Sequence, residues 1–319
     1  MPRLAISASR LDRHPFGSAV ATPPTAPSPD MTGAVPLSSL ARTAVSADAL
    51  HTRDFSRISA YVYQECGIRL PPAKITMIEG RLRRRVRATG LSSLSAYCSW
   101  LFEGQHLDDE REHLLNAVTT NKTDFFREPK HFDYLMGTVM PRLRDEGTRR
   151  LRVWSAACST GAEPYTLAML LDAFAQDHGG PDFGILATDL DSEVLHTARR
   201  GIYPASMLDP VPPALRNRYA MKASDPKRGE MRIVPALRSA IGFAQMNLMD
   251  ARYPVGDPMD IIFCRNVLIY FDKPTQEKVV RRLAECLRPG GLMFLGHSES
   301  ITGFDLPLKA VANTVFRRI

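Results

Sequence analysis

Residues 151–297 alternate between short apolar segments and amphipathic segments, and this alternation constrains the fold more than any other feature. Short apolar runs between turn residues are typical of buried strands, whereas apolar residues three or four positions apart indicate helices. The predicted strands span residues 151–157, 183–189, 241–247, 259–266 and 292–297, and the predicted helices span 163–176, 191–201 and 275–288, with a turn, RPGG, at 288–291. Strands alternating with helices form right-handed crossovers and a mostly parallel sheet covered on both faces. The sequence therefore predicts a doubly wound α/β domain.

The first fifty residues have a different composition. Residues 1–50 are rich in Pro, Ser and Ala, and Phe16 is their only aromatic residue. Such a segment cannot bury enough apolar surface to offset its chain entropy, so we expect a disordered tail.

A small all-helical domain is predicted for residues 51–120. Its second helix should follow Pro71 and Pro72, because apolar residues then recur three or four positions apart. This stripe consists of Ile75, Ile78, Leu82 and Val86. Gly67 and Gly90 are placed to end the first and second helices.

Two further segments complete the organisation. Residues 121–150 are interpreted as a connection to the sheet domain at residues 151–319. Within that domain, residues 202–240 contain six prolines and a candidate hairpin at about 217–234, which predicts an inserted β-subdomain with short antiparallel strands. Composition alone does not decide whether this insertion contacts a partner.

Charge and composition exclude several protein classes. Forty-one basic residues against 34 acidic ones give a net charge of +7, which indicates an acidic partner without identifying it. The five cysteines form no CxxC pair and the eight histidines show no ligand spacing, so neither a disulfide framework nor a metal site is predicted. No apolar run approaches the roughly 18 residues of a membrane span, and the N-terminus does not resemble a signal peptide. We expect a soluble cytoplasmic protein.

The loop after the first predicted strand has the position of a nucleotide-binding loop. In open α/β sheets, ligands bind where a strand leads through a glycine-containing turn into a helix. A dinucleotide fingerprint needs three glycines, whereas ACSTGAEP (157–164) contains only Gly161. The pattern favours an adenosine-type ligand without a pyrophosphate.

Two acidic residues lie near the ends of successive predicted strands. Asp189 can accept hydrogen bonds from both hydroxyls of a ribose, or it can cap the helix that follows. Glu163 can face a positively charged ligand, or it can interact with the dipole of its own helix. The sequence leaves both pairs of alternatives open.

Polar residues also mark two other segments. TTNKTDFFREP (119–129) joins the two domains, and domain junctions commonly form pockets. Arg127 within it is either a site residue or a surface charge. Arg265 and Asn266 interrupt the apolar run FCRNVLIYF (263–271). Burying such groups unpaired costs about 1 to 3 kcal/mol each, which favours a functional reason for them.

Five long motifs occur in order along the chain. They are NKTDFFRE (121–128), VWSAACSTGAEPY (153–165), ATDLDSEVLHTARRGIY (187–203), IIFCRNVLIYFDKPTQE (261–277) and LRPGGLMFLGHSES (287–300). These motifs resemble the bacterial chemotaxis receptor methyltransferases, the CheR family, and the match extends over residues 54–318. The resemblance implies a helical domain joined to a Rossmann-like, class I S-adenosylmethionine-dependent methyltransferase domain with a small β-subdomain. It also implies methylation of glutamate side chains on the cytoplasmic helices of chemoreceptors.

The resemblance further implies which residues contact S-adenosylmethionine. They are Asn121, Thr123, Arg127, Glu163, Asp189, Asn247, Leu248, Arg265 and Asn266. Arg127 and Tyr270 are the positions expected beside the transferred methyl group. Ala162 stands where the family usually has a second acidic residue. The acidic residue directly before the proline, Glu163, is present in this chain. The loop KASDPKRGE (222–230) lacks the glycine-rich turn of tether-binding members, which leaves recognition of a receptor tether open.

The second predicted helix concentrates positive charge. Seven basic residues and one acidic residue lie between Arg69 and Arg87. This face is either solvated or, as the resemblance favours, a docking surface for the glutamate-rich helical bundle of a receptor. The expected docking residues are Arg81, Arg84, Arg85 and Arg87.

Two other functions fit a basic chain with this core. One is nucleic-acid methylation, but amino-methylating enzymes usually carry a DPPY-like tetrapeptide after the fourth strand, where this chain has RNVL (265–268). The other is a catalytically silent module that senses S-adenosylmethionine. This chain retains Tyr270 and every matched cofactor position, which favours an enzyme over a silent module. The resemblance further implies that the enzyme is cytoplasmic and is recruited to membrane receptor arrays.

Overall fold

The computed structural model describes residues 48–319. Residues 1–47 of the expected tail lie outside the described residues, whereas Leu50 is buried in the core of the helical domain, so the expected boundary at residue 50 is too late. The helices are α1 (Thr52–Cys66), α2 (Ile75–Thr89), α3 (Leu94–Phe102), α4 (Leu107–Val118), α5 (Pro129–Tyr134), α6 (Met140–Asp145), α7 (Ala162–His178), α8 (Ser192–Arg200), α9 (Pro213–Tyr219), α10 (Pro235–Ser239) and α11 (Lys273–Cys286). The strands are β1 (Arg150–Ala156), β2 (Asp182–Asp189), β3 (Ile202–Pro204), β4 (Ala220–Lys222), β5 (Glu230–Ile233), β6 (Ile241–Gln245), β7 (Met259–Cys264), β8 (Leu287–Leu295), β9 (Leu308–Ala312) and β10 (Val315–Arg318).

Helices α1 to α4 form the predicted all-helical domain around a core of their own. The fully buried side chains of this core include Ile58, Val62, Ile78, Leu82, Tyr97, Leu101 and Leu114. Gly67 and Gly90 end α1 and α2 in the left-handed conformation, with φ of 70° and 73°, as predicted. The predicted stripe of α2 is buried apart from Ile75, which is only partly buried.

The large sheet has seven strands in the order β6-β2-β1-β7-β8-β10-β9. Its first five strands are parallel, and β10 pairs antiparallel with both β8 and β9. This confirms the doubly wound, mostly parallel sheet. The hairpin of β9 and β10 was not predicted. Both strands are short and mostly only partly buried, and β9 is an edge strand, which weakens the apolar pattern.

Both faces of the sheet are buried. Along β1, Val153 belongs to one apolar core, whereas its neighbour Trp154 belongs to a second core on the opposite face. The same alternation along β7 places Ile261 and Ile262 in different cores. Central parallel strands therefore appear in sequence as continuous apolar runs.

The predicted turn at residues 288–291 was wrong, because these residues belong to β8. Gly290 has a φ of 77°, and the register between β7 and β8 shifts beyond Met259. A Cβ at Gly291 would lie 3.0 Å from the carbonyl oxygen of Asp260. The two glycines thus allow a shift of register within a continuing strand. In sequence, such a glycine pair has the same pattern as a turn.

The segments outside the alternation have regular structure as well. Residues 121–150 are more than a connection, since they contain α5 and α6, joined by a π-helical turn at Leu135–Val139. The insertion forms the expected small antiparallel sheet, in the order β3-β5-β4. No helix within residues 48–319 combines the length and apolar character that a membrane crossing requires.

Gly161, the one glycine of the loop after β1, is required by both conformation and space. Its φ is 92°, and an added Cβ would lie 2.9 Å from the Cβ of Ala198 and 3.0 Å from the hydroxyl of Tyr203. We expect Gly161→Ala to lower the free energy of unfolding by about 2 kcal/mol, measured by urea denaturation. Gly179 is the matched control, because its φ is 67° but nothing lies within 4 Å of an added Cβ. An equal loss of stability in Gly179→Ala would contradict the steric argument.

Candidate functional site

The residues that the sequence predicts for the site share one cavity. The cavity lies at the carboxyl ends of the parallel strands. Its volume is about 970 Å³, which includes the space up to its open mouth. Its lining includes Asn121, Thr123, Arg127, Glu163, Asp189, Asn247, Leu248, Arg265, Asn266 and Tyr270. Cys66 and Ile68, at the end of α1, also line it, so both domains form the cavity.

Asp189, at the end of β2, is almost fully buried. Its carboxylate accepts hydrogen bonds from the backbone N–H of Ser159 at 2.8 Å and from that of Asp191 at 3.0 Å. Burial raises the pKa of Asp189 to about 6, and these backbone donors partly oppose the rise. Asp189 does not cap α8. Asp191 does, by accepting from the backbone N–H groups of Glu193 and Val194. The capping alternative for Asp189 was therefore wrong.

Asp191 holds residues of the cavity lining in place, and sequence reasoning missed this role. Its second carboxylate oxygen accepts from the Thr119 hydroxyl at 2.9 Å and from the Asn121 side-chain amide at 2.7 Å. The carbonyl of Asn121 in turn accepts from the Ser159 hydroxyl at 3.0 Å. Asp191 thus fixes the domain junction against the sheet edge. Its position immediately before a helix was the only local signal, and it indicated a cap alone.

A buried cation links three parts of the cavity wall. The guanidinium of Arg265 lies 3.3 Å from a carboxylate oxygen of Glu163 and 3.0 Å from one of Glu128. Its side chain is 2% exposed, and it also donates to the carbonyl of Arg127. Burial raises the pKa of Glu163, whereas Arg265 and a hydrogen bond from Ser155 act in the opposite direction.

Glu128 is a second residue that the sequence did not single out. It accepts from the Asn266 side-chain amide at 2.9 Å as well as from Arg265. Burial alone would raise the pKa of Glu128, but the Asn266 hydrogen bond and the Arg265 charge outweigh it, and the pKa is lowered. Glu299, also missed, accepts from the backbone N–H groups of Asn266 and Gly296 at 3.0 and 2.6 Å. Arg265 and Asn266 are thus joined to three carboxylates, although the Arg265 Nε is buried without a hydrogen-bond partner within residues 48–319.

Left-handed backbone conformations concentrate around the cavity. Non-glycine residues with positive φ include Phe126, Glu128, Ala157, Ser159 and Asn266, all in the loops that surround it. Each costs of order 1 kcal/mol and persists only where neighbouring contacts hold it. The loops around the cavity are therefore held in strained conformations by their contacts.

The remaining predicted residues differ in their freedom to contact a ligand. The guanidinium of Arg127 donates to the carbonyl of Lys122 at 2.9 Å, and Tyr270 is half-buried on a short 3-10 turn. The side-chain amide of Asn247 is already engaged, because it donates to the carbonyl of Glu65 at 2.7 Å. Leu248 beside it is buried and contributes an apolar surface.

One group of possible metal ligands adjoins the network. Glu128, His131 and His297 bring one ligand atom each within 4.8 Å of one another. Burial, followed by the charges of Arg265 and His297, lowers the pKa of His131 to about 4. Arg265 already donates to the Glu128 oxygen that lies 3.6 Å from the Nδ1 of His131. We therefore interpret Glu128 as a partner of Arg265 and not as a metal ligand.

The arginines of α2 do not form one free face. Arg81 donates to the carbonyl oxygens of Val118 and Thr119, and Arg85 forms a bidentate pair with the buried carboxylate of Glu110. We expected Arg81 and Arg85 on an open docking surface. The structure instead engages both side chains in contacts within the protein. Arg84 and Arg87 are exposed and form no ion pair within residues 48–319.

Two family models match the chain and together cover nearly all of the described residues. Residues 53–119 match the CheR methyltransferase all-alpha domain, and residues 121–316 match the CheR methyltransferase SAM-binding domain. The chain belongs to the CheR methyltransferase family. Its binding domain for S-adenosylmethionine (SAM) contains every residue that the sequence predicts for the cofactor.

Individual relatives agree with this assignment. The chain is 40% identical to chemotaxis protein methyltransferase 2 of Pseudomonas aeruginosa over 266 residues, which is 82% of this chain and 92% of that protein. It is 42% and 41% identical to the chemotaxis protein methyltransferases of Salmonella typhimurium and Escherichia coli. Each of these matches spans 272 residues, or 84% of this chain and 91% of the relative.

The buried pair of Glu128 and Arg265 should matter for the stability of this CheR-family chain. We expect Glu128→Gln to lower the free energy of unfolding by about 2 kcal/mol, because Arg265 loses one of two carboxylates that offset its burial. Glu277→Gln is the matched control, since Glu277 pairs with Arg281 at 2.9 Å on the surface and should change stability by less than about 0.5 kcal/mol. Urea denaturation of both variants measures this, and similar losses would contradict a special role for the buried pair.

Proposed function

We propose that this chain transfers the methyl group of SAM to glutamate side chains on the cytoplasmic helices of chemoreceptors, forming methyl esters. The convergence of Arg127, Tyr270 and the expected cofactor residues on one cavity carries this proposal. Membership of the CheR family and the names of its relatives support the same reaction. The enzyme would act in the bacterial cytoplasm, at membrane receptor arrays.

The donors and acceptors of the cavity suit SAM. Asp189 retains carboxylate lone pairs for ribose hydroxyls beyond the two that backbone donors use. Leu248 offers apolar surface for a base, and the carboxylate of Glu163 suits an ammonium group. When bound, SAM supplies a methyl group on a sulfonium, which a carboxylate can attack without further activation and which leaves a neutral thioether.

The residues of this chain would then act mainly by positioning. A glutamate with an ordinary pKa of about 4.3 is ionised at neutral pH, so no strong general base is needed. Arg127 would orient the incoming carboxylate, and the Tyr270 hydroxyl would position the methyl donor. Holding reactants in line and excluding water supplies most of the acceleration in such a site.

Electrostatic attraction would assist docking of the receptor. Arg84 and Arg87 are the α2 arginines that remain available to a glutamate-rich helix, and exposed charges contribute to association rate and orientation more than to affinity. Arg81 and Arg85 would instead hold α2 against the rest of the protein.

Labelling with radioactive SAM tests the reaction. Membranes that contain chemoreceptors should acquire a base-labile label on the receptor band, as expected of a methyl ester. Arg127→Ala and Tyr270→Phe should lower the initial rate by about 10- to 100-fold, because misplaced reactants lose the advantage of orientation. Arg281→Ala, at an exposed pair, is the control. Unchanged turnover in both site variants would contradict the assigned roles.

Cofactor binding should weaken at acidic pH. The pKa of Asp189 is raised to about 6, so lowering the pH through this value protonates the carboxylate that would accept from the ribose. We expect the affinity for S-adenosylhomocysteine to be constant at higher pH and to fall as the pH drops from about 7 to 5, measured by calorimetry. Asp189→Asn should bind weakly and lose this pH dependence. The same pH profile in that variant would assign the titration to another group.

A further inference from the structure

A second groove adjoins the cofactor cavity where the helical domain meets the loop after β7. Its walls are α1, residues 69–75 and residues 269–272, and its volume is about 1990 Å³, counted out to its open rim. Tyr270 and Phe271 line both the groove and the cofactor cavity. Tyr270 therefore stands at the boundary between the groove and the place of methyl transfer.

The groove exposes apolar side chains, and hydrogen bonds hold its two walls together. Tyr63 is 43% exposed and Ile269 is 50% exposed, and both line the groove. The Tyr63 hydroxyl donates to the carboxylate of Asp272 at 2.6 Å, and the backbone N–H of Arg69 donates to the carbonyl of Tyr270 at 3.0 Å. Exposed apolar residues on a preformed groove indicate a binding surface.

Positive charge lies at the inner end of this groove. The Lys74 ammonium is 5.3 Å from the centroid of the Tyr270 ring, and the exposed Arg69 lies on the same wall. Neither side chain lies within 4.0 Å of a carboxylate belonging to residues 48–319. The Tyr63 hydrogen bond and, to a smaller extent, the Arg69 charge lower the pKa of Asp272, which also lines the groove. Lys74 is thus the cation of this wall that is available to an acidic ligand.

We propose that the groove binds the methyl-accepting helix, with Lys74 engaging the carboxylate of the glutamate that is presented to Tyr270. This inference rests on the proposed function and identifies its substrate subsite. Apolar residues one helical turn apart on the acceptor helix would contact Tyr63 and Ile269. Charge complementarity favours this occupant over the chain's own N-terminal segment, because residues 1–47 contain four arginines and only two acidic residues.

Steady-state kinetics with a soluble chemoreceptor cytoplasmic fragment tests the proposal. We expect Lys74→Ala and Ile269→Asp each to raise the KM for the fragment about tenfold, with kcat and the affinity for S-adenosylhomocysteine within about twofold of wild type. Lys74→Arg should restore most of the loss, because it retains the charge. The matched controls are Lys309→Ala and Met221→Asp, at exposed positions outside the groove, and they should leave KM unchanged.

Three other outcomes would contradict different parts of the proposal. An unchanged KM in both groove variants, or an equal rise in Met221→Asp, would overturn the subsite while leaving the methyl transfer of the wild type intact. If deletion of residues 1–47 lowered KM and abolished the effect of Lys74→Ala, the groove would belong to that segment instead. If the wild type did not label the fragment or receptor membranes at all, the proposed function itself would fail.

Discussion

The arrangement of the site depends on one buried cation. Arg265 follows β7, and its guanidinium joins the start of α7, through Glu163, to the segment before α5, through Glu128. A charge buried to this extent is tolerated only if opposite charges and hydrogen bonds offset its lost hydration. The two carboxylates, the carbonyl of Arg127 and the nearby Phe132 ring meet this requirement. The same contacts determine where the loops lie, so the electrostatic requirement of one side chain shapes the cavity wall.

The helical domain is part of the site because polar contacts attach it to the sheet edge. Asn247 donates to the last turn of α1, and Asn116 of α4 donates to the Ser192 hydroxyl at 3.1 Å. Arg81 reaches from α2 to the carbonyls that end α4, directly before the junction that lines the cavity. These contacts explain why arginines of α2 serve the interior of the protein as well as its surface. The positive charge of this segment is therefore divided between structural pairs and side chains available to a partner.

The apolar pattern was sufficient to predict the order of most helices and strands. It located β1, β2, β6 and β7 to within a few residues, because strands buried on both faces leave continuous apolar runs. It missed the hairpin of β9 and β10, and it placed a turn inside β8, because an edge strand and a glycine bulge lack such a run. Prediction of the site residues depended on motifs, since spacing alone left Glu163 and Asp189 with two interpretations each.

The sequence by itself determined the doubly wound sheet, the helical domain and the polar residues at the strand ends. The motifs further indicated the family to which the chain belongs. Only the tertiary structure decided which polar group contacts which. It assigned the cap of α8 to Asp191 and not Asp189, and it enclosed Arg265 between two carboxylates. It also engaged Arg81 and Arg85, which stay partly exposed, in contacts within the protein. Periodicity reports the burial of apolar groups along one element. Hydrogen bonds and ion pairs join residues far apart in the chain, and their partners are fixed only when the elements have packed.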